Sequence, residues 1–106
     1  MSEGWVEACG ADEIEVEDVR PFDHGGRSYA LYRTGSGEYF ASDGMCTHEA
    51  ADLTEGFVIG SVIECPRHNG RFDIRTGKAL AAPVCVDLVT YPVKVEDGRV
   101  WVKIGG

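Results

Sequence analysis

The sequence predicts an all-β protein, and three observations support this prediction. The 14 glycines stand between short runs that are rich in Val, Ile, Tyr and Phe, a composition typical of strands separated by turns. These runs recur at intervals of roughly 8–12 residues, as in sandwiches and barrels. No longer window keeps the 3.6-residue period of an amphipathic helix. We therefore expect antiparallel sheets and no long helix.

The clearest strand is predicted over Arg27–Arg33, which lies between two turn signals rich in glycine. Glu38–Ser42 is expected to return beside it. Near the end of the chain, Tyr91–Val95 and Arg99–Lys103 flank Glu96-Asp97-Gly98, which predicts a hairpin. Shorter candidate strands are Ile14–Val16, Ser61–Glu64, Phe72–Arg75 and Cys85–Leu88, and a further hairpin is expected over 56–64.

The length and the charge of the chain indicate a single domain and disfavour several classes of partner and location. With 106 residues, the chain has room for one domain, predicted over 1–106, with a single modest core. We expect no membrane association, because no apolar stretch approaches the roughly 20 residues needed to span a bilayer. Met1–Trp5 lacks the features of a secretory signal, so a cytoplasmic location is expected. A net charge of −8 disfavours nucleic acid as a partner.

The four cysteines, at positions 9, 46, 65 and 85, are better explained by a metal site than by disulfides, because cytoplasmic thiols stay reduced. Two of them have a histidine close by: Cys46-x-His48 and, sixteen residues after His48, Cys65-x-x-His68. Turn residues in the second segment would let its Cys and His point at one centre. Cys9 and Cys85 have no such neighbour and are expected to be small apolar residues.

Two metals fit a set of two Cys and two His. A structural zinc site is one alternative, although zinc fingers commonly keep like ligands together in Cys-x-x-Cys and His-x-x-x-His pairs. Here each loop contributes one Cys and one His. That mixed order favours an iron–sulfur cluster with two different irons, one bound by two thiolates and the other by two imidazoles.

The two segments resemble the Rieske iron–sulfur motif, and the resemblance extends over the turn 69–77 and the stretch 76–93 to nearly the whole chain, about 5–102. It implies stacked antiparallel sheets with a small cluster-binding subdomain, about 44–84. It also implies one [2Fe–2S] cluster, with Cys46 and Cys65 on the inner iron and His48 and His68 on the outer, more exposed iron. Pro83 would lie in a third loop that shields the cluster; the alternative is that it serves only an ordinary turn between two strands.

At four positions the sequence differs from the respiratory branch of the family, which indicates the branch that it resembles more. Respiratory Rieske proteins carry an extra Cys in each loop, joined as a disulfide; Ala51 and Arg67 stand at those places here. Those proteins also place Ser and Tyr hydroxyls beside the cluster, where this sequence has Gly70 and Phe72. Fewer hydrogen bonds to sulfur lower the reduction potential, so we expect a potential near the bottom of the range from roughly −150 to +300 mV.

The sequence resembles the ferredoxin component of multicomponent aromatic ring-hydroxylating dioxygenases. Only three histidines are present, so a separate iron site of two His and one carboxylate cannot be built beside the cluster, and no catalysis is expected. The resemblance implies a monomeric one-electron carrier with two transient partners, a flavin-containing ferredoxin reductase and a terminal oxygenase. Alternatives are a Rieske subunit of another enzyme, such as a nitrite reductase, and a structural or redox-sensing metal domain.

A run of basic residues follows Cys65, namely Arg67, Arg71, Arg75 and Lys78, and this run has two interpretations. Arg67 and Arg71 would lie near His68 and could steer the cluster towards acidic partner surfaces. Equally, these arginines could be solvated loop charges with no such role.

Overall fold

The computed structural model describes residues 4–47, 51–67, 70–81 and 86–104. Within these segments, the secondary structure consists of eleven β-strands and two single-turn 3₁₀-helices, Ala11–Glu13 and Leu53–Glu55. The strands are β1 (Trp5–Gly10), β2 (Asp18–His24), β3 (Arg27–Arg33), β4 (Tyr39–Asp43), β5 (Phe57–Ile59), β6 (Val62–Glu64), β7 (Arg71–Asp73), β8 (Ala79–Ala81), β9 (Thr90–Tyr91), β10 (Val93–Glu96) and β11 (Arg99–Lys103). No helix in this part of the chain has the length and apolar character needed to cross a membrane.

The strands form three antiparallel sheets. A terminal sheet has the order β1-β11-β10, a central sheet the order β2-β3-β4-β9, and a third sheet, here called the loop sheet, the order β5-β6-β7-β8. The terminal sheet joins the two ends of the described chain, with Trp5 opposite Lys103. The prediction of an all-β fold of antiparallel sheets is confirmed.

Both faces of the central sheet are covered by apolar cores. This explains why the middle of the β3 sequence is a continuous apolar run. Leu31 packs into one core beneath the terminal sheet, together with Val100 and Val102. Ala30 and Tyr32 point to the opposite face and pack into a second core. Successive side chains of a strand point to opposite sides, so both faces of β3 have to be apolar.

The second core fills the space between the central sheet and the loop sheet. Its fully buried members from the loop sheet are Ile63 and Phe72, which are paired across β6 and β7. The same core holds Cys46 and Cys65. The loop sheet therefore packs its inner face onto the central sheet and keeps its outer face in solvent.

Most strand predictions are confirmed, with small shifts of their ends. Arg27–Arg33 is a strand over the predicted residues, and the C-terminal hairpin forms, although Pro92 divides its first arm into β9 and β10. Proline has no N–H to donate to a ladder. The predictions at Ile14–Val16 and over 86–88 are wrong, because both segments are irregular. Cys85 lies outside the described residues.

The sequence prediction missed β1, β2 and β8. Strand β2 contains Pro21 and several charges, which normally argue against a strand. It lies at the edge of the central sheet, where proline is tolerated and charged side chains reach water.

Candidate metal centre

The first cysteine–histidine segment lies in a tight loop that follows β4. The N–H of Gly44 donates to the carbonyl of Ser28 at 3.0 Å, which holds the start of the loop on the central sheet. Met45 and Asp52 then form an isolated antiparallel bridge. The N–H of Cys46 donates to the carbonyl of Ala51 at 2.9 Å. These bonds close a narrow loop with Cys46 at its base.

The second segment lies at the tip of the β6–β7 hairpin. Glu64 and Arg71 are the last cross-strand pair. Beyond them, the N–H of Cys65 donates to the carbonyl of Gly70 at 2.7 Å. This bond closes a second loop, again with the cysteine at its base.

The two loops are built in the same way, since in each the cysteine N–H donates to the carbonyl of the residue five positions later. Cys46 is 6% exposed and Cys65 is 1% exposed, and both belong to the same core. A buried thiolate is costly unless a cation is bound to it. A pair of buried cysteines at the bases of two equivalent loops therefore fits the two thiolates that a Rieske cluster requires on its inner iron.

Exposure rises within each loop as the chain leaves the cysteine. Thr47, directly after Cys46, is exposed, and so are Pro66 and Arg67 after Cys65. Each histidine of the motif follows such an exposed residue in sequence. The loops thus run from an apolar interior, suited to sulfur, towards solvent.

The structure places two of the four predicted ligands, Cys46 and Cys65, in the same core. His48 and His68 lie outside the described residues, as does Pro83. Among the residues that the structure describes, no group of three or more metal-ligating side chains occurs.

Several hydrogen bonds hold the chain on either side of the predicted third loop. The N–H of Ala79 donates to Asp87 Oδ1 at 2.9 Å. The N–H of Leu88 donates to the carbonyl of Gly77 at 2.7 Å. The hydroxyl of Thr47 donates to the carbonyl of Val86 at 2.6 Å. This last bond ties the first loop to the segment that follows residues 82–85.

Three of the positions that distinguish this chain from the respiratory branch are buried near the bases of the two loops. Ala51 is buried at the closing bond of the first loop, and Gly70 is buried at that of the second. Phe72 is fully buried beneath the second loop. Its side chain fills core space but offers no hydroxyl to a sulfur atom.

Two arginines of the basic run are engaged in ion pairs. Arg71 Nε lies 3.6 Å from Glu64 Oε1, directly below the second loop. Arg75 pairs with Glu38. The positive charge of these two residues is therefore balanced locally, which weakens the interpretation of the run as a basic steering patch.

Sequence reasoning missed a polar network at the foot of the first loop. Tyr91 donates from its hydroxyl to Asp43 Oδ1 at 2.6 Å, and Arg27 lies 3.4 Å from the same oxygen. Burial, together with the bond to Asp43, raises the pKa of Tyr91 to about 12. Its hydroxyl therefore stays protonated at neutral pH and anchors β9 to the end of β4. No local pattern in the sequence links residues so far apart.

A second polar contact lies inside the core itself. The hydroxyls of Tyr32 and Ser42 are 2.7 Å apart and buried. Burial raises the pKa of Tyr32 above its usual range. This pair satisfies two polar groups in the core that also holds Cys46 and Cys65, so it keeps β3 and β4 in register beside the cysteines.

Comparison with known proteins identifies the family. The model of the Rieske [2Fe-2S] domain matches residues 4–92. The chain is 46% identical to the ferredoxin component of the naphthalene 1,2-dioxygenase/salicylate 5-hydroxylase systems of Ralstonia sp., over 98% of this chain and 99% of that protein. It is 44% identical to the ferredoxin component of the 2,4-dinitrotoluene dioxygenase system of Burkholderia sp. (strain RASC), with the same coverage.

Among solved structures, the chain superposes with a TM-score of 0.91 on a chain in the complex of reduced oxygenase and oxidized ferredoxin of carbazole 1,9a-dioxygenase. The two share 34% identity, and the match covers 98% of this chain and 96% of that one. The fold, the paired loops and the full-length similarity agree. The chain therefore belongs to the Rieske [2Fe-2S] family as a ferredoxin component of the dioxygenase type, an electron carrier with one Rieske-type [2Fe–2S] cluster rather than an enzyme.

Proposed function

We propose that this ferredoxin takes single electrons from a flavin-containing ferredoxin reductase and delivers them to the terminal oxygenase of an aromatic ring-hydroxylating dioxygenase system. The full-length similarity to the ferredoxin components of the naphthalene and dinitrotoluene systems supports this assignment over a nitrite reductase subunit or a redox sensor. A cytoplasmic location suits the role, because the cluster thiolates have to stay reduced.

The ligand set we propose is Cys46, His48, Cys65 and His68, within a cluster-binding subdomain of about 44–84. The observation that carries this proposal is the equivalence of the two closed loops, each with a buried cysteine at its base. When bound, the cluster supplies a centre that accepts and releases one electron. Cys46 and Cys65 would hold it from the interior side, where the core excludes water.

The two histidines would complete the set on the solvent side. Each follows an exposed residue of its loop, Thr47 or Arg67, so an imidazole there would be the part of the site nearest to a partner. Because backbone bonds at the loop bases hold both cysteines at the core, we expect little rearrangement when the electron arrives or leaves.

The ligand assignment is tested by three substitutions with a matched control. Cys46→Ala and Cys65→Ala are expected to contain no cluster, and His68→Ala to lose the Rieske-type EPR signal. Cys9→Ala is the control, because Cys9 is also buried but lies in the other core. It should retain two irons, two sulfides and the EPR signal. A full complement of iron in Cys46→Ala would contradict the assignment.

The electron-transfer role is tested by reconstitution. The wild-type protein, mixed with naphthalene, dioxygen, NADH, a flavin-containing reductase and the terminal oxygenase of a naphthalene 1,2-dioxygenase system, should support formation of the dihydroxylated product. Omitting the ferredoxin gives the background rate. A rate that does not rise above background would contradict the proposed function.

A further inference from the structure

The exposed apolar surface of the described chain is concentrated in the half that carries the cysteine loops. Six of its eight large exposed apolar side chains lie between residues 45 and 89: Met45, Phe57, Ile59, Leu80, Val86 and Val89. Three of these six lie on the loop sheet. Phe57 is 63% exposed, Ile59 60% and Leu80 49%. Scattered apolar residues on a surface need no explanation, but a group on one face of one sheet does.

The strand register places this group on the outer face of the loop sheet. Val58 pairs with Ile63, and both point into the core. Phe57 and Ile59 flank Val58 on the same strand, so their side chains point outwards. Leu80 falls where the register between β7 and β8 shifts. An open cavity of about 360 Å³ lies on this face, and its lining residues are Ile59, Val62, Glu64, Arg71 and Leu80.

The charges on this face are balanced. Glu64 and Arg71 form the ion pair at 3.6 Å that lines the cavity. The aliphatic side chains around this pair form a surface that is locally close to neutral. A partner that covered the cavity would bury apolar area and would avoid the cost of burying an unpaired charge from these two residues.

The net charge of the molecule indicates what kind of partner fits. Two copies of a chain with a net charge of −8 repel each other, so a second copy is a poor occupant. A protein with an apolar side chain at the centre of its surface and basic residues around it would be attracted to the acidic molecule and could fill the cavity.

The position of the face suits an electron-transfer partner, and the similarity to a ferredoxin solved in complex with an oxygenase favours the oxygenase over the reductase. Glu64 and Arg71 directly precede and follow the segment 65–70, so the face is continuous with the base of the second cysteine loop. A partner seated there would lie beside the loop that carries His68. We propose that the outer face of the loop sheet is a docking surface for the terminal oxygenase, which inserts an apolar side chain between Ile59 and Leu80. This inference rests on the proposed function.

The test compares Ile59→Ser and Leu80→Ser, alone and together, with the control Val95→Ser. Val95 is 47% exposed and lies on β10 in the terminal sheet. Its substitution also removes an exposed apolar side chain, but from a different sheet. Each protein is first reduced with dithionite, which removes the reductase from the measurement. Stopped-flow spectroscopy then gives the second-order rate constant for oxidation by the terminal oxygenase of a naphthalene 1,2-dioxygenase system. Calorimetry gives the dissociation constant.

We expect the double variant to lose about fivefold or more in the second-order rate constant and in affinity, because two apolar contacts at the centre of the interface are removed. The control should stay within about twofold of the wild type, and the midpoint potential and EPR spectrum should be unchanged in every variant. Equal rate constants for the double variant and the wild type would overturn the docking surface and leave the proposed function standing. A changed potential would also overturn it, because the substitutions would then act through the cluster.

A third outcome separates the two proposals. If the wild-type protein transfers no electrons to this oxygenase, the proposed function is wrong, and the docking surface that rests on it is overturned as well.

Discussion

Single residues beside the cysteine loops are expected to set the reduction potential. Phe72 is fully buried in the core that contains both cysteines, and it cannot donate a hydrogen bond. Gly70, which closes the second loop, has no side chain to donate from. We propose that these two residues give this ferredoxin a low potential, because hydrogen bonds to sulfur stabilise the reduced state. A clearly positive midpoint in a redox titration would contradict this proposal.

The substitution Phe72→Tyr tests the role of the missing hydroxyl. A hydroxyl that reaches a thiolate sulfur stabilises the reduced cluster, so the midpoint potential is expected to rise. Protein-film voltammetry measures the change. Phe57→Tyr is the matched control, since Phe57 is largely exposed and its hydroxyl would face water. An unchanged potential in a folded Phe72→Tyr protein would show that the hydroxyl does not reach the cluster.

The ion pair between Glu64 and Arg71 is also expected to act on the potential. Both charged groups lie next to the second loop, and in the wild-type protein their effects on the potential oppose each other. Glu64→Gln leaves the positive charge uncompensated and should raise the potential, whereas Arg71→Gln should lower it. Because both side chains are partly in solvent, each change should be on the order of 1 kcal/mol or less. Redox titration checks both signs, and the double variant should return close to the wild-type value.

At the scale of secondary-structure elements, the loops are held by backbone contacts that only particular residues allow. Gly77 follows β7 with a φ of +81°, and a Cβ on it would collide with the carbonyl of Leu88. The same glycine accepts a hydrogen bond from Leu88 N–H at 2.7 Å. It therefore fixes the path of the chain next to the predicted third loop.

The substitution Gly77→Ala is expected to destabilise the protein by about 2 kcal/mol or more, because strain at positive φ adds to the steric clash. Gly98 is the control. It has a φ of +73° but no neighbour near the added Cβ, so Gly98→Ala should cost only about 1 kcal/mol. Denaturant titration of both variants measures the free energies of unfolding. An equal decrease in the free energy of unfolding of both variants would show that the close contact with Leu88 adds nothing to the cost.

At the scale of the whole molecule, charge and apolar surface are separated. Eight acidic side chains and a single basic one fall within residues 1–24, whereas most of the exposed apolar side chains of the described segments belong to residues 45–89. Long-range repulsion is expected to keep copies apart, while most of the exposed apolar side chains lie in the half with the cysteine loops. Such a distribution suits a carrier that binds its partners briefly.

The oligomeric state should therefore depend on ionic strength and pH. We expect a monomer at neutral pH and low salt, with self-association increasing as the pH falls towards the isoelectric point of about 4.7 or as salt screens the repulsion. Sedimentation velocity measures the change. A stable dimer at neutral pH and low salt would contradict this expectation and would make a second copy a plausible occupant of the loop sheet.

The sequence by itself determined the fold class, the family and the cofactor of this protein. Glycine punctuation and alternating runs predict β-strands because turns and pleated strands are local properties. The mixed Cys-His order at positions 46, 48, 65 and 68 identifies the Rieske motif because the predicted ligands of each loop are close in sequence. The same local reasoning was wrong at Ile14–Val16 and missed β2, whose charges and Pro21 are acceptable only at a sheet edge.

Tertiary structure decided what depends on residues far apart in the chain. It showed that β3 is buried on both faces and that the two cysteine loops close in the same way. It also paired Arg71 with Glu64 and Arg75 with Glu38. It also showed that Phe57, Ile59 and Leu80 share an exposed face. Sheet order and register decide each of these properties, and they follow from packing the whole chain at once.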